Sequence, residues 1–116
     1  MLPQTMWLKK SVEEQLHSLK ANTGINPNIS SRIAFFRSIE SGFMFDKTQD
    51  YKLSGYQKMD KFTWLGKTQQ VTELLLKQRY PEFSDKELQM AWAAHVEDGF
   101  SGIRRLDNLQ RLIQVL

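Results

Sequence analysis

The chain has 116 residues, of which 41% are hydrophobic and 25% are charged, proportions typical of a single globular domain. It contains no cysteine, which excludes disulfides, thiolate-bound metals and a cysteine nucleophile. The formal net charge of +3 permits nucleic-acid binding without requiring it. No apolar run approaches the roughly 20 residues that cross a bilayer, and the first residues lack the apolar region of a signal peptide. We therefore expect a cytoplasmic protein that does not contact a membrane.

A short strand and a helix are predicted at the start of the chain. Residues 4–9 are rich in β-forming side chains and partly alternate in polarity, which is typical of a short strand. Ser11 and Glu14 have the capping-box spacing, in which two side chains satisfy free N–H groups at a helix start, so we expect the first helix to begin at Ser11. Gly24 follows the last periodic turn and predicts a helix end in the left-handed conformation.

A second helix is predicted after a tight turn. Asn26 is a favourable N-cap, and Pro27 suits the first helical position, where its missing N–H costs nothing. Gly42 predicts the end of this helix. A short strand followed by two helices is the layout of a ribbon-helix-helix unit, in which strands from two subunits pair and enter a DNA groove. A plain helical hairpin behind a disordered start is the alternative.

Short motifs spread over most of the chain resemble one known family. The first block contains Thr23-Gly24, Pro27-Asn28-Ile29, Arg32-Ile33-Ala34, Ser38 and Glu40, and later blocks contain Phe62-Thr63-Trp64-Leu65-Gly66, Leu76-Lys77-Gln78-Arg79, His95 and Gly99. In this order the motifs resemble the DNA sulfur modification protein DndE family. The resemblance implies a small, non-catalytic bacterial subunit whose partner proteins replace a non-bridging oxygen of the DNA backbone with sulfur.

Residues 43–61, in the middle of the chain, show no sustained period, and Ser54-Gly55 predicts a turn. Lysines outnumber acidic residues between Lys47 and Lys67. Long segments without regular structure are uncommon in compact domains and are often functional. We therefore interpret this segment as a basic loop that meets phosphates, the alternative being a solvated connector.

Further helices are predicted in the rest of the chain. Ser84 and Glu87 form a second capping-box pair, and Gly99 is expected to end or bend the helix that follows. Another helix is expected from Thr68, because Val71, Leu74, Leu75 and Gln78 follow the helical period. Leu76 lies off that stripe, so we expect this helix to be buried on more than one side.

The predicted fold class is all-α, with one helical domain over residues 1–116 and at most one short strand. The domain would comprise a ribbon-helix-helix-like unit in residues 1–42, the basic loop in residues 43–61 and a helical C-terminal part in residues 62–116. An apolar stripe in residues 103–116 and the unpaired edge of the short strand predict a homo-oligomer.

No constellation of residues predicts catalysis. His17 and His95 are expected to be structural or surface residues, and His95 with Asp98 offers one helical pair, too few ligands for a metal site. Phosphate-binding and dinucleotide-binding glycine motifs are absent, and no serine can be assigned a histidine partner. We therefore expect no enzyme activity, no metal and no cofactor.

A DNA-binding surface is the remaining candidate site. Helix starts present unpaired N–H groups that bind anions, and lysines that neutralise phosphates supply affinity that is largely independent of base sequence. The predicted contacts are Lys9, Lys10, Lys20, Gly24, Asn26, Asn28, Arg32, Lys47, Lys58 and Lys61.

The main hypothesis is a non-catalytic subunit that grips double-stranded DNA through its phosphates for the sulfur modification machinery, with nicked or distorted backbone as a preferred target. Its partners would be DNA, other subunits of the complex and further copies of itself. One alternative is a protein–protein scaffold of the same complex without direct DNA contact. The other is a ribbon-helix-helix transcriptional repressor, although the predicted strand offers no convincing set of base-reading side chains.

Overall fold

The computed structural model describes the backbone of residues 1–115 and the side chains of residues 1–102. Most of the described chain is helical, which confirms the predicted mainly helical fold class. Over the described residues, none of the helices combines the length and the apolar character of a membrane span. In chain order the elements are β1 (Thr5–Met6), α1 (Lys10–Thr23), α2 (Pro27–Ser41), β2 (Met59–Asp60), α3 (Lys61–Leu65), a 3-10 turn (Gly66–Thr68), α4 (Gln69–Arg79) and α5 (Asp85–Val115).

The pair of helices α2 and α5 forms the centre of the fold. Phe35 of α2 and Trp92 of α5 are among the largest fully buried side chains. Gly99 lies within α5, so a helix end at this glycine is wrong. A Cβ atom at position 99 would overlap the backbone carbonyl of Ala34 on α2. The glycine therefore permits a close approach of two helix backbones.

The two short strands pair with each other within the chain. In their antiparallel ladder, Thr5 lies opposite Asp60 and Met6 opposite Met59. The second strand corrects the expectation of at most one. Because β1 finds its partner in its own chain, its backbone does not require a strand from another subunit. This reason for expecting a homo-oligomer falls away, while oligomer formation itself stays a prediction; the apolar stripe in residues 103–116 lies outside the described side chains.

Glycine and proline signals predict the ends of α1 and α2 correctly. Gly24 ends α1 with φ of 78°, and Gly42 ends α2 with φ of 83°. Positive φ values of this size favour glycine, which has no Cβ to clash with the backbone. Asn26 is the N-cap of α2 and Pro27 its first residue, although the Asn26 side chain makes no capping hydrogen bond.

The two predicted capping boxes have opposite outcomes. Ser84 N–H donates to Glu87 Oε1 at 2.8 Å, and Glu87 N–H donates to Ser84 Oγ at 3.2 Å, as predicted. The box at Ser11 is wrong, because α1 already begins at Lys10. The Lys10 N–H instead donates to Ser54 Oγ, from the middle of the chain, at 3.1 Å.

Helix α4 buries Leu76, which lies off the predicted stripe, while two residues of that stripe are exposed. Thr72 and Leu76 are buried, whereas Val71 is 44% and Leu74 65% exposed. Leucines occur on more than one side of this helix, so periodicity alone does not select the face that packs. Contacts with the rest of the fold select the side that carries Leu76.

The middle of the chain is more regular than predicted. From Tyr51 to Asp60, partly buried and exposed residues alternate one by one, which is the period of an extended chain with one face against the protein. Tyr51, Leu53 and Met59 pack against the core from that face. We call residues 51–58, which lead into β2, the strap.

Candidate nucleic-acid interface

Glu13 fastens the strap to the start of α1. The residue is only 7% exposed, and its carboxylate accepts hydrogen bonds from Tyr56 N–H at 3.1 Å and from Gln57 N–H at 2.9 Å. Hydrogen bonds to an ionised carboxylate are stronger than those between neutral groups, so they hold the strap firmly. The sequence has no signal for this role, since Glu13 and Glu14 are adjacent and only the fold distinguishes them.

Lys9 and Lys10, both predicted DNA contacts, lie against tyrosines of the strap. Lys9 Nζ is 5.5 Å from the centroid of the Tyr51 ring and 3.5 Å from Glu97 Oε2. Burial and, to a smaller extent, the Glu97 carboxylate raise the pKa of Tyr51. Lys10 Nζ is 5.1 Å from the centroid of the Tyr56 ring. Within the described residues Lys10 forms no ion pair, so its charge stays available to an anionic ligand.

Lys20, Gly24 and Asn26 are exposed near the other end of α1. The positions of Lys10 and Lys20 in this helix imply a separation of about 15 Å along its axis. The structure therefore leaves both lysines accessible but does not bring them to one point.

Asn28 and Arg32 of α2 are engaged with α3. Arg32 Nε donates to the Trp64 carbonyl oxygen at 2.9 Å, and Arg32 Nη2 donates to the Thr63 carbonyl oxygen at 3.1 Å. Asn28 Nδ2 donates to the same Thr63 oxygen at 3.4 Å. Carbonyl groups at a helix C-terminus lack intrahelical partners and attract cations. The two side chains thus connect α2 to α3, a role that their sequence spacing does not indicate.

Lys61 lies in the interior of the protein. The residue is 6% exposed, and its Nζ is 3.3 Å from Glu73 Oε2 and 3.1 Å from the Leu2 carbonyl oxygen. The pairing of β1 with β2 draws the start of α3 against the N-terminal residues, which buries this side chain. An ammonium enclosed by these partners is not accessible to a phosphate, which corrects the prediction of Lys61 as a DNA contact.

Lys47 and Lys58 are exposed at different places. Lys47 Nζ is 3.4 Å from Glu87 Oε2 and 5.5 Å from the centroid of the Phe83 ring, so it lies beside the first turn of α5. Lys58 is the last residue of the strap, next to β2, and forms no ion pair in the described part of the chain. The predicted contacts are thus distributed over separate surface regions.

His95 is the centre of a buried hydrogen-bond network that joins α2, α5 and the end of α4. Phe45 N–H donates to Tyr80 Oη at 2.8 Å, and this oxygen is 2.7 Å from His95 Nε2. On the other side of the ring, His95 Nδ1 is 2.8 Å from Ser38 Oγ. The Ser38 hydroxyl donates to Asp98 Oδ2 at 2.8 Å. Sequence reasoning did not assign this serine to the histidine.

A single arrangement of protons satisfies the network. The Tyr80 hydroxyl donates to His95 Nε2, and the Nδ1 proton of His95 is donated to Ser38 Oγ, so the imidazole is neutral. Burial, followed by the charge of Arg79, lowers the pKa of His95 to about 4, although Asp98 acts in the opposite direction. Ser38 donates its proton away from the histidine, the reverse of the arrangement that activates a serine nucleophile. The network therefore connects helices and does not resemble a hydrolytic site.

The fold and its contacts define a small, mainly helical protein in which buried polar groups hold the elements together and unpaired cations lie on the surface. Among the side chains that the structure describes, no three histidine, aspartate or glutamate residues are grouped as a metal site would need.

Comparison with known proteins assigns the family. The family model for the DNA sulphur modification protein DndE matches residues 5–111. The crystal structure of DndE from Escherichia coli B7A, involved in DNA phosphorothioation modification, has 52% sequence identity and a TM-score of 0.84, over 89% of this chain and 99% of that chain. The crystal structure of a DndE G21/24K mutant, involved in DNA phosphorothioation, has 51% identity and a TM-score of 0.83, over 88% and 98% of the two chains. No curated protein matches the chain.

The chain therefore belongs to the DndE family of the DNA phosphorothioation system, as its motifs predict.

Proposed function

We propose that this chain is a non-catalytic, cytoplasmic accessory subunit that holds double-stranded DNA by its backbone for the phosphorothioation machinery. Membership of the DndE family supports this setting. The observation that carries the proposal is the presence of exposed lysines without ion-pair partners among the described residues, of which Lys10, Lys20 and Lys58 are also predicted DNA contacts. Such cations attract phosphates and gain affinity by releasing counterions from the DNA.

The proposed contacts are made to phosphates and not to base edges. Lysine is a flexible point charge that suits phosphate oxygens, and the exposed turn at Gly24 and Asn26 places backbone N–H groups at the start of α2. Neither kind of contact carries sequence information. Because sulfur replaces an oxygen of the backbone itself, a subunit that grips phosphates, including those of a nicked or distorted strand, suits that chemistry.

The test is a salt titration of DNA affinity. The unmodified chain and the triple variant Lys10→Ala, Lys20→Ala, Lys58→Ala are each titrated with two duplexes of unrelated sequence at several salt concentrations. We expect the variant to bind both duplexes more weakly, since each lost phosphate contact flattens the slope of log affinity against log salt by about 0.9.

The matched control removes the same charge elsewhere. Lys67, Lys77 and Lys86 are exposed and also form no ion pair within the described residues, and they lie between the end of α3 and the start of α5. Their triple alanine variant should lose less DNA affinity, and its salt dependence should flatten less, than the triple variant of Lys10, Lys20 and Lys58. If the two triple variants lose the same affinity and slope, DNA binding depends only on the net charge of the protein. If the first triple variant binds DNA as tightly as the unmodified chain, the proposal is contradicted.

A protein–protein scaffold is the second candidate, and an apolar surface on α2 favours it. Ile25 in the preceding turn is 40% exposed, and Ile29 and Ile33, one turn apart on α2, are 39% and 47% exposed. Large apolar side chains in a row on a surface are typical of an interaction site. Another subunit of the modification complex or a further copy of this chain would cover them, with or without DNA bound elsewhere.

The repressor alternative receives no such support. A ribbon-helix-helix repressor reads DNA with a ribbon formed by strands of two subunits. Here β1 is already paired with β2 of the same chain, so forming that ribbon would require the pairing to break.

A further inference from the structure

We propose that Tyr56 and Lys10 form a stacking site for an unpaired nucleobase, through which the protein takes DNA at a place where the base stack is interrupted. This inference rests on the proposed function, because it names the form of DNA that the exposed lysines hold. The fold leaves the aromatic side chain of Tyr56 uncovered: this residue is 80% exposed, the largest exposed fraction among the exposed large hydrophobic residues of the described chain.

The backbone beneath this ring is held tightly. The buried carboxylate of Glu13 accepts the N–H groups of Tyr56 and Gln57, and Gly55 N–H donates to the Leu8 carbonyl oxygen at 2.8 Å. A Cβ atom at position 55 would lie 2.7 Å from that carbonyl oxygen, so the strap is in close contact with the residues before α1. A ring on a fixed backbone loses little conformational freedom when it binds, which favours its use as a contact surface.

The surroundings of the ring are cationic. Lys10 Nζ lies 5.1 Å from the ring centroid, within the distance of a cation–π interaction. Lys58 and Lys52 are exposed at alternate positions of the same extended segment. Two acidic residues of the same segment have partners: Asp50 is 4.0 Å from Lys52, and the carboxylate of Asp60 accepts the Thr63 N–H at the start of α3.

An aromatic ring beside unpaired lysines suits a nucleic acid whose bases are open. Proteins that hold single strands combine cations, which follow the phosphates, with aromatic rings on which bases stack. Base faces in a continuous duplex are covered by their neighbours, so a ring of this kind gains a contact only where a base is unpaired. Lys10 is close enough to Tyr56 to serve both the stacked base and its phosphate.

The experiment compares a duplex that contains a one-nucleotide gap with the same duplex after the gap is filled. The unpaired base opposite the gap is 2-aminopurine, whose fluorescence falls when it stacks. We expect the unmodified chain to quench this fluorescence and to bind the gapped duplex roughly tenfold more tightly than the filled one, as expected for one base on one ring. Tyr56→Phe keeps the aromatic face and should behave in the same way.

Tyr56→Leu keeps an apolar side chain without an aromatic face and should lose both the quenching and the preference for the gapped duplex. Phe62→Leu is the matched control, because Phe62 is also highly exposed, at 69%, but lies on α3; it should keep both. Circular dichroism of each variant verifies that the fold is unchanged.

Four outcomes would overturn the inference. Quenching by Tyr56→Leu as strong as that of the unmodified chain, or an equal loss of affinity for both duplexes, would exclude a base on Tyr56 while leaving DNA binding in place. Absence of binding to either duplex by the unmodified chain would overturn the proposed function and this inference with it. A protein partner on Tyr56 would be indicated if the ring were needed for complex assembly but had no effect on either DNA.

Discussion

Gly99 of α5 lies so close to Ala34 of α2 that any Cβ atom at position 99 would overlap the Ala34 carbonyl oxygen. The obstacle is backbone, which cannot rotate away as a side chain can. The close approach of the two central helices therefore requires a residue without a Cβ atom at this position.

Replacing Gly99 with alanine is expected to reduce the free energy of unfolding by about 3 kcal/mol or more, because overpacking against backbone forces the helices apart. Gly102→Ala, three residues further along α5, is the matched control. The nearest atom to its Cβ would be Arg37 Nε at 3.9 Å, an ordinary contact. Since alanine is the better helix former, this control should be neutral or stabilising by up to about 1 kcal/mol. Urea denaturation measures both, and similar effects of the two changes would contradict the close packing at Gly99.

Replacing only one partner of the buried ion pair between Lys61 and Glu73 should strongly reduce the free energy of unfolding. The two side chains are 8% and 10% exposed, so Glu73→Gln leaves a buried ammonium without its counter-charge. We expect a loss of about 3–5 kcal/mol in the free energy of unfolding. The exposed pair of Asp50 and Lys52 is the comparison, and Asp50→Asn should change stability by less than about 1 kcal/mol. If Glu73→Gln also lowers the free energy of unfolding by less than about 1 kcal/mol, the ammonium of Lys61 is accessible to solvent.

His95 should make the protein less stable in mild acid. Its pKa is about 4 in the folded protein, below the value of about 6.5 for an unfolded histidine. The unfolded state therefore binds a proton first, so the contribution to stability is complete above about pH 6.5 and is lost as the pH falls towards 4. The loss should be on the order of 3 kcal/mol.

The measurement is the free energy of unfolding of the unmodified chain and of His95→Gln between these pH values. Glutamine does not titrate, so the variant should start from a lower stability and show a flatter dependence on pH. Carboxylates with lowered pKa values, such as Asp60, act mainly below this range. Parallel curves for the two proteins would show that His95 does not cause the dependence.

Oligomer formation is expected to use the exposed isoleucines of α2. Light scattering should give a multiple of the 13.6 kDa chain mass, and Ile29→Glu with Ile33→Glu should reduce it towards a single chain, since charges oppose burial of that surface. The control pair is Val71→Glu with Leu74→Glu, on the exposed side of α4, which should keep the larger mass. A mass of one chain for the unmodified protein at micromolar concentration would exclude a homo-oligomer.

Much of the local structure follows from the sequence alone. The ends of α1 and α2 at Gly24 and Gly42, and the capping box of Ser84 with Glu87, are predicted correctly. The physical reason is that these features are completed by residues within a few positions of one another, whose spacing can be seen in the sequence. The family motifs likewise stand in sequence order, so the assignment to the DndE family needed no coordinates.

The placement of side chains was decided only by the tertiary structure. Lys58 and Lys61 are both lysines next to β2, yet one is exposed and the other is buried against Glu73. Glu13 rather than Glu14 holds the strap. Each outcome depends on contacts between residues far apart in the chain. Neither composition nor periodicity carries that information, because the energy of a charge depends on what the fold places around it.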